Sequence, residues 1–225
     1  MRTLLISLGL LLVFALPSQG ADAPAAAAVA TPGLGPQELM DKVSRDLLRE
    51  LDADRAAITK DPARLRALAD KHLLPHFDTD YAARLVLGKH WRTATDAQRK
   101  RFVEAFYGAL MADYGSALSE FTADRLRILP FRGDPAADSA TVRTEVKRDD
   151  GTPVPVNYTL RRTPQGWKAW DVTIEGISYV RSFRNDFGAE IDQKGLDAVI
   201  TRLEARNAAA PQARPAAARP AAGTG

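Results

Sequence analysis

Few residues in this sequence have the types and spacing that catalysis or metal binding requires. His72 and His76 lie four residues apart, but Pro75 interrupts the helix that would align them, and no HExxH-type glutamate stands between them. His90 is expected in a loop rather than as a general base. The chain has no cysteine, which excludes thiol catalysis, cysteine-ligated metals and disulfides. We therefore expect no metal site and no catalytic nucleophile.

The charged residues between positions 171 and 184 have simpler structural explanations. Asp171 alternates with apolar residues along an extended segment, so it is expected to face solvent. Glu175 is expected to cap a helix or pair with an arginine. Arg181 and Arg184 could contact a phosphate, although the pair also fits the solvated side of a helix. A small enzyme with an acid–base pair in an apolar pocket stays an alternative, but it needs an inward-facing acid or histidine.

These residues belong to a strand that turns directly into a helix, between Gly166 and Phe187. Apolar residues first recur every second position, which is typical of a half-buried strand: Trp170, Val172 and Ile174. Ser178 is a suitable N-cap for the next segment. Aromatic and apolar residues then recur every fourth position, which indicates one side of a helix: Tyr179, Phe183, Phe187 and Ile191.

The remaining periodicity predicts helices in the first half of the domain and strands in the second. Asp61-Pro62 starts one helix, Asp78 starts a short one, and Thr95 with Gln98 starts the longest, which is expected to reach Phe121. Alternating segments joined by short turns follow, from Leu126 to Ile174. The fold class is therefore α+β, a curved four-stranded antiparallel meander whose apolar side is covered by about six helices.

The ends of the chain are expected to lie outside the domain. Residues 1–20 have the charged, apolar and small-residue order of a secretory signal peptide. An Ala/Pro-rich linker over 21–35 precedes the folded domain, 36–206, and a disordered Ala/Pro-rich tail over 207–225 follows it. The net charge of +3 comes without a basic run, so the sequence gives no sign of nucleic-acid binding.

Three segments resemble a known family, the MlaC family of phospholipid-binding proteins, also called the toluene-tolerance family. They are ILPFRGD from Ile128, VPVNYTLRR from Val154 and WKAWDVTIEGISYVRSFRNDF from Trp167. The resemblance covers about 36–206. It implies a protein without enzymatic activity, metal or cofactor that carries phospholipid through the periplasm, with acyl chains inserted in a cavity between sheet and helices. The implied partners are an inner-membrane ABC lipid transporter complex and an outer-membrane lipoprotein–porin complex.

Inward-facing apolar residues are the candidates for the lipid-binding pocket. They are Phe77, Tyr81, Leu85, Phe102, Phe106, Leu110, Val142, Val156, Tyr158, Val172, Ile174 and Tyr179. For each residue, plain core packing explains the pattern about as well as lipid contact, because the same residue types line both. A second alternative also stays open, a protein–protein interaction module of the cell envelope that has a filled core and binds no ligand.

Overall fold

A computed structural model describes residues 33–115, 118, 121–134 and 136–209. The predicted signal peptide and most of the predicted linker and tail lie outside these residues. The helices are α1 (Pro36–Ala53), α2 (Arg55–Ile58), α3 (Pro62–His72), α4 (Thr79–Leu87), α5 (His90–Thr93), α6 (Asp96–Tyr114), α7 (Tyr179–Lys194) and α8 (Leu196–Ala209). The strands are β1 (Leu126–Ile128), β2 (Ser139–Lys147), β3 (Pro153–Thr163), β4 (Gly166–Ile174) and β5 (Ile177–Ser178).

The helix starts follow the capping residues predicted from the sequence. The Asp61 carboxylate accepts hydrogen bonds from the backbone amides of Ala63 and Arg64, and the Asp78 carboxylate accepts one from Tyr81. Thr95 forms a reciprocal capping box with Gln98 at the start of α6. α8 continues to Ala209, three residues past the predicted end of the domain.

The sheet is an antiparallel meander with the strand order β1-β2-β3-β4-β5. The prediction of four strands was short by one, because β5 adds two residues at the edge of β4. Glu175 and Gly176 form the two-residue turn between these strands, with φ angles of 50° and 84°. Both angles are positive, as a tight hairpin turn of this kind requires.

A β-bulge in β4 changes which residues share a side of the sheet. Leu160 of β3 pairs with Ala169, whereas the neighbouring Thr159 pairs with Asp171, so Trp170 is left without a partner. The prediction that Trp170 and Val172 share a side was therefore wrong. The Trp170 ring instead meets Tyr81 of α4, edge to face, with 5.5 Å between centroids.

The longest helix differs from its prediction in length and in packing. α6 ends at Tyr114 and not at Phe121. Its aromatic side was expected to face the sheet, but Phe106 packs edge to face against Phe183 and Phe187 of α7, at 5.1 and 5.9 Å between ring centroids. The apolar residues of α6 are buried against those of α7 and α8. Together with α4, these helices form a helical core.

Buried apolar residues form three separate clusters. The helical cluster joins α4, α6, α7 and α8. The sheet cluster joins β2, β3 and β4 to the first turns of α1. A third cluster joins the later turns of α1 to α3. A domain of this size usually has one contiguous core. Here the sheet cluster and the third cluster meet at the partly buried Leu73, whereas among the described residues the helical cluster shares no residue with either.

An ion pair between α7 and α8 makes stability depend on pH. The Arg202 guanidinium donates two hydrogen bonds to Glu190, at 2.9 and 2.6 Å, and holds the pKa of that carboxyl below 4.5, its ordinary value. Because the pKa of Glu190 is lowered in the folded protein, the ion pair stabilises the fold fully above pH 4.5. This stabilisation is lost as the pH falls below 4.5 and through the lowered pKa. We expect Glu190→Gln to cost about 1 kcal/mol at pH 7 and clearly less at pH 3, in urea unfolding at both pH values. An equal loss at both would contradict this explanation.

Candidate functional site: an apolar sheet surface with an open layer above it

One surface of the sheet carries four rows of side chains that are almost entirely apolar. Strand register sets the rows, since directly paired residues point to the same side. Row 1 contains Leu126, Val146 and Val154; row 2 contains Ile128, Thr144, Val156 and Ile174; row 3 contains Val142, Tyr158 and Val172; row 4 contains Ala140, Leu160 and Ala169. Successive rows are about 7 Å apart along the strands. We call this the apolar sheet surface.

Row 4 is covered, whereas rows 2 and 3 are open toward β4. Ala140, Leu160 and Ala169 are all buried. In row 3, Val142 is fully buried but Tyr158 and Val172 retain accessible surface. The partial exposure of Tyr158 matters most, because β3 is the central strand of the sheet. A residue on an edge strand can be exposed at the side of the sheet, whereas a residue on the central strand has a neighbouring strand on each side. The layer above the apolar sheet surface therefore covers Tyr158 and Val172 only in part.

The path of helix α1 explains why the apolar sheet surface is only partly covered. Its first turns pack on the sheet through Leu39 and Val43, which belong to the sheet cluster. Its later turns pack on α3 through Leu47 and Leu51, which belong to the third cluster. The helix thus covers one end of the apolar sheet surface and then turns its apolar side to another helix. The other end of the surface is left with less cover.

A cleft of about 490 Å³ lies at that less covered end. Its apolar lining is Phe121 and the row 1 residue Val146. Its charged lining is Arg125, Lys147, Arg148, Asp149 and Asp150. Apolar sheet surface and charged cleft are therefore continuous at Val146, which gives the site an apolar part and a polar end.

Six of the twelve predicted pocket residues lie on or against the apolar sheet surface. They are Phe77, Val142, Val156, Tyr158, Val172 and Ile174. Phe77 reaches this surface because residue 77 bridges to Ala169, and the next amide, of Asp78, donates to the Ala169 carbonyl at 2.7 Å. The alternation in β2, β3 and β4 was sufficient to find the sheet residues.

The other six predicted residues are not brought to that surface. Phe102, Phe106 and Leu110 belong to the helical cluster. Tyr81 contacts Trp170 and also lies under Arg161, whose guanidinium carbon is 4.4 Å from the centroid of the Tyr81 ring. Tyr179 packs against Tyr114 and Phe183. The half-buried Leu85 lies on α4. Helical periodicity identified the apolar side of each helix but not the element that it packs against.

Asp171 was predicted to be exposed, and that prediction was wrong: it is 5% exposed. Its carboxylate accepts hydrogen bonds from the Val180 amide at 3.0 Å and from the Ser178 hydroxyl at 2.6 Å. The Ser178 hydroxyl in turn accepts one from the Arg181 amide at 3.1 Å. Asp171 pairs with Thr159 and so faces the side of the sheet opposite Val172, where it meets the first turn of α7, whose free amides attract a negative charge. Asp171 therefore fixes the direction in which α7 leaves the sheet.

The Tyr158 hydroxyl is the only polar group of row 3. Desolvation by the surrounding protein raises the pKa of this phenol, and among the described residues nothing hydrogen-bonds it. By contrast, the row 2 hydroxyl of Thr144 donates to the Val156 carbonyl at 2.6 Å. Row 3 thus contains one polar group without a hydrogen-bond partner among the described residues.

Replacing Tyr158 with phenylalanine tests this description of the space. We expect Tyr158→Phe to leave the free energy of unfolding unchanged or to raise it by up to about 1 kcal/mol, because no hydrogen bond is lost. Thr144→Val is the matched comparison and should cost about 1 kcal/mol or more, since it removes a made bond. Urea unfolding measures both. A loss above 1 kcal/mol for Tyr158→Phe would show that the hydroxyl has a partner.

Within residues 33–115, 121–134 and 136–209, no group of three acidic, histidine or cysteine residues is arranged to hold a metal ion. In the same part of the chain, no helix combines the length and the apolarity that crossing a bilayer requires.

The fold and the site define an α+β protein whose antiparallel sheet carries an apolar surface that is partly covered by helices. The chain belongs to the MlaC protein family, whose pattern matches residues 41–205. This match includes all five strands and all helices except the start of α1 and the end of α8. The resemblance expected from three short segments is thereby confirmed over most of the domain.

Two curated relatives and one solved structure have informative similarity. The chain is 29% identical over 163 residues to the toluene tolerance protein ttg2D of Pseudomonas putida, covering 72% of this chain and 75% of that protein. It is 23% identical over 172 residues to the intermembrane phospholipid transport system binding protein MlaC of Haemophilus influenzae, covering 75% and 80%. A phospholipid-binding protein from Ralstonia solanacearum, solved with a phospholipid, superposes with a TM-score of 0.73 at 24% identity over 80% of this chain and all of that one. The structural similarity establishes the fold.

Proposed function

We propose that this protein is a soluble periplasmic carrier of phospholipid that holds acyl chains against the apolar sheet surface. The observation that carries the proposal is the apolar sheet surface, on which Tyr158 of the central strand and Val172 are only partly covered. Family membership supports it, and so do two relatives, one a binding protein of an intermembrane phospholipid transport system and one solved in complex with a phospholipid. The role breaks no bond and needs no cofactor, since the phospholipid is the carried ligand.

The energy of hydrating an acyl chain explains why a carrier is needed. Exposing sixteen methylenes to water costs on the order of 12 kcal/mol at about 0.8 kcal/mol each. A lipid that crosses an aqueous compartment must therefore keep its chains against protein. An apolar surface with incomplete cover meets this need, because it contacts a chain without requiring the helices to unfold.

We place the acyl chains over rows 2 and 3, against Val156, Tyr158, Val172 and Ile174. Val142 and Phe77 limit this space on the side of row 4, where α1 packs on the sheet. The remaining predicted residues, Tyr81, Leu85, Phe102, Phe106, Leu110 and Tyr179, would contact lipid only if the helices moved. Van der Waals contact with so few polar groups favours recognition of chains over recognition of one headgroup.

The proposed partners follow from the role and from the family. A periplasmic carrier must collect and deliver lipid at membrane proteins. We propose an inner-membrane ABC lipid transporter complex and an outer-membrane lipoprotein–porin complex. Residues 1–20 would direct the chain to this compartment as a cleaved signal peptide. Delivery requires a second state with lower affinity, because a carrier that only binds tightly releases nothing.

Uptake of lipid from vesicles tests the proposed function. Delipidated protein is mixed with vesicles of phosphatidylglycerol that carry a tritium label, and the two are separated by size exclusion. We expect label to elute with the protein at one or two lipids per chain. A folded protein that takes up no label over hours would contradict the carrier role and would favour an interaction module with a filled core.

A further inference from the structure

The charged cleft has the chemistry of a phosphate site. Arg125, Lys147 and Arg148 bring three cations to its lining, against two carboxylates. Both carboxylates are already engaged. Asp149 pairs with Arg125, and Asp150 accepts a hydrogen bond from the Thr152 amide at 2.8 Å within the β2–β3 turn. With Glu175, which pairs with Arg148, the cleft and its rim carry three cations and three carboxylates, so a phosphate would have to displace exposed carboxylates from the two arginines.

The cations are available to a ligand at little cost. Among the described residues the Lys147 ammonium has neither an ion pair nor a hydrogen bond. Arg148 pairs with Glu175 at 3.0 Å, and both side chains are 53% exposed. The Asp149 carboxylate that pairs with Arg125 is 87% exposed. Exposed ion pairs of this kind contribute little to stability, so exchanging them for a phosphate is not costly.

The position of the cleft links it to the proposed cargo. Val146 belongs both to the cleft and to row 1, which is about 7 Å along the strands from row 2. A lipid whose chains lie over rows 2 and 3 would present its polar end at row 1 and beyond. Val146 thus has the three cations of the cleft beside it at the end of β2, although strand alternation places Lys147 and Arg125 on the other side of the sheet from Val146.

We propose that this cleft binds the phosphate group of the carried phospholipid through Arg125, Lys147 and Arg148. The inference rests on the proposed function and adds a ligand contact to it. A phosphate diester carries one negative charge and two free oxygens, which suits a lysine and two arginines. Since every phospholipid has this group, the site would distinguish phospholipids from uncharged lipids while tolerating different headgroup alcohols.

The test compares two lipids with the same acyl chains, phosphatidylglycerol and diacylglycerol, bound to the full delipidated protein. We expect wild type to prefer phosphatidylglycerol by about tenfold or more, the effect of a hydrogen bond to a charged group. The double variant Lys147→Gln/Arg148→Gln should lose that preference and bind diacylglycerol as wild type does. Lys60→Gln/Lys100→Gln removes the same charge from exposed positions elsewhere and should keep the preference.

Each outcome separates the two proposals. Binding of neither lipid overturns the carrier role itself. Equal binding of both lipids by wild type overturns the phosphate contact alone, as does a preference that survives in the cleft variant. Inorganic phosphate without lipid tests the other source of the same chemistry. If phosphate binds wild type but not the cleft variant, and phosphatidylglycerol is not preferred, the cleft is a free-phosphate site and the headgroup assignment is wrong.

Discussion

Replacing Val172 with tryptophan is expected to remove most of the phospholipid that the protein carries. Val172 is half-buried and pairs with Tyr158 on the apolar sheet surface, so an indole at this position would occupy the space over row 3. Each methylene excluded from apolar contact costs about 0.8 kcal/mol, and excluding two lowers affinity more than tenfold. Lipid content per chain, measured by phosphate assay after organic extraction, should fall in proportion.

Two further results decide whether the effect is specific. Thr141→Trp adds the same ring on the other side of β2, at an exposed position, and should leave lipid content unchanged. The free energy of unfolding of Val172→Trp should also lie within about 1 kcal/mol of the wild-type value, because the partly covered position accepts the ring. In a filled core the ring would be overpacked, at a cost of about 1–3 kcal/mol. Unchanged lipid in the folded variant would remove row 3 from the site.

Replacing Asp171 with alanine is expected to have the largest effect on stability, a loss of about 3 kcal/mol. The buried carboxylate accepts hydrogen bonds from Val180 and Ser178 and lies at the positive end of α7. Without the carboxylate, the partly buried Val180 amide and Ser178 hydroxyl each lose a hydrogen-bond acceptor. Urea unfolding measures the loss. Since α7 leaves the sheet beside Ile174, a displaced helix should also lower lipid content.

Asp186→Ala is the matched control for this prediction. Asp186 is an exposed aspartate on α7, so its removal should change the free energy of unfolding by less than about 0.5 kcal/mol. Asp171→Asn keeps one carbonyl oxygen as an acceptor, so its free energy of unfolding should lie between those of Asp171→Ala and Asp186→Ala. If Asp171→Ala were as stable as Asp186→Ala, the polar contacts at the start of α7 would not be what holds the helix against the sheet.

The sequence predicted the elements well because their signals are local. Alternation in β2 and β3 is strict and each strand ends at a turn, so the apolar rows could be derived residue by residue. The N-caps at Asp61, Asp78 and Thr95 name the helix starts directly, since a capping side chain bonds amides two or three positions away. The family could also be identified, because WDVTIEGIS and the helix after it are distinctive.

The errors arose where a contact between distant residues decides the result. An extra residue in β4 becomes a bulge only through its pairing with β3, so the position of Trp170 does not follow from alternation alone. The burial of Asp171 depends on where α7 begins, which is not visible in the alternation either. Likewise, α6 presents an aromatic side that fits a sheet or another helix equally well. Its packing on Phe183 and Phe187 depends on the path of α7, which Asp171 directs.

The open layer itself could not be derived from sequence. Residue types that line a cavity are the same as those that fill a core, and α1 appears uniformly amphipathic along its length. Only the structure shows that Leu39 and Val43 pack on the sheet while Leu47 and Leu51 pack on α3. The exposure of Tyr158 in a central strand is the consequence, and it could be found only with the layers in place.

Intact-mass spectrometry of the protein, purified from the periplasm without detergent, tests the central claim most directly. Spectra are recorded under native conditions before and after organic extraction. The carrier role predicts an added mass of one or two phospholipids per chain that extraction removes, and a mature chain without residues 1–20. A single mass equal to the polypeptide in both spectra, with no lipid gained after exposure to vesicles, would contradict the claim.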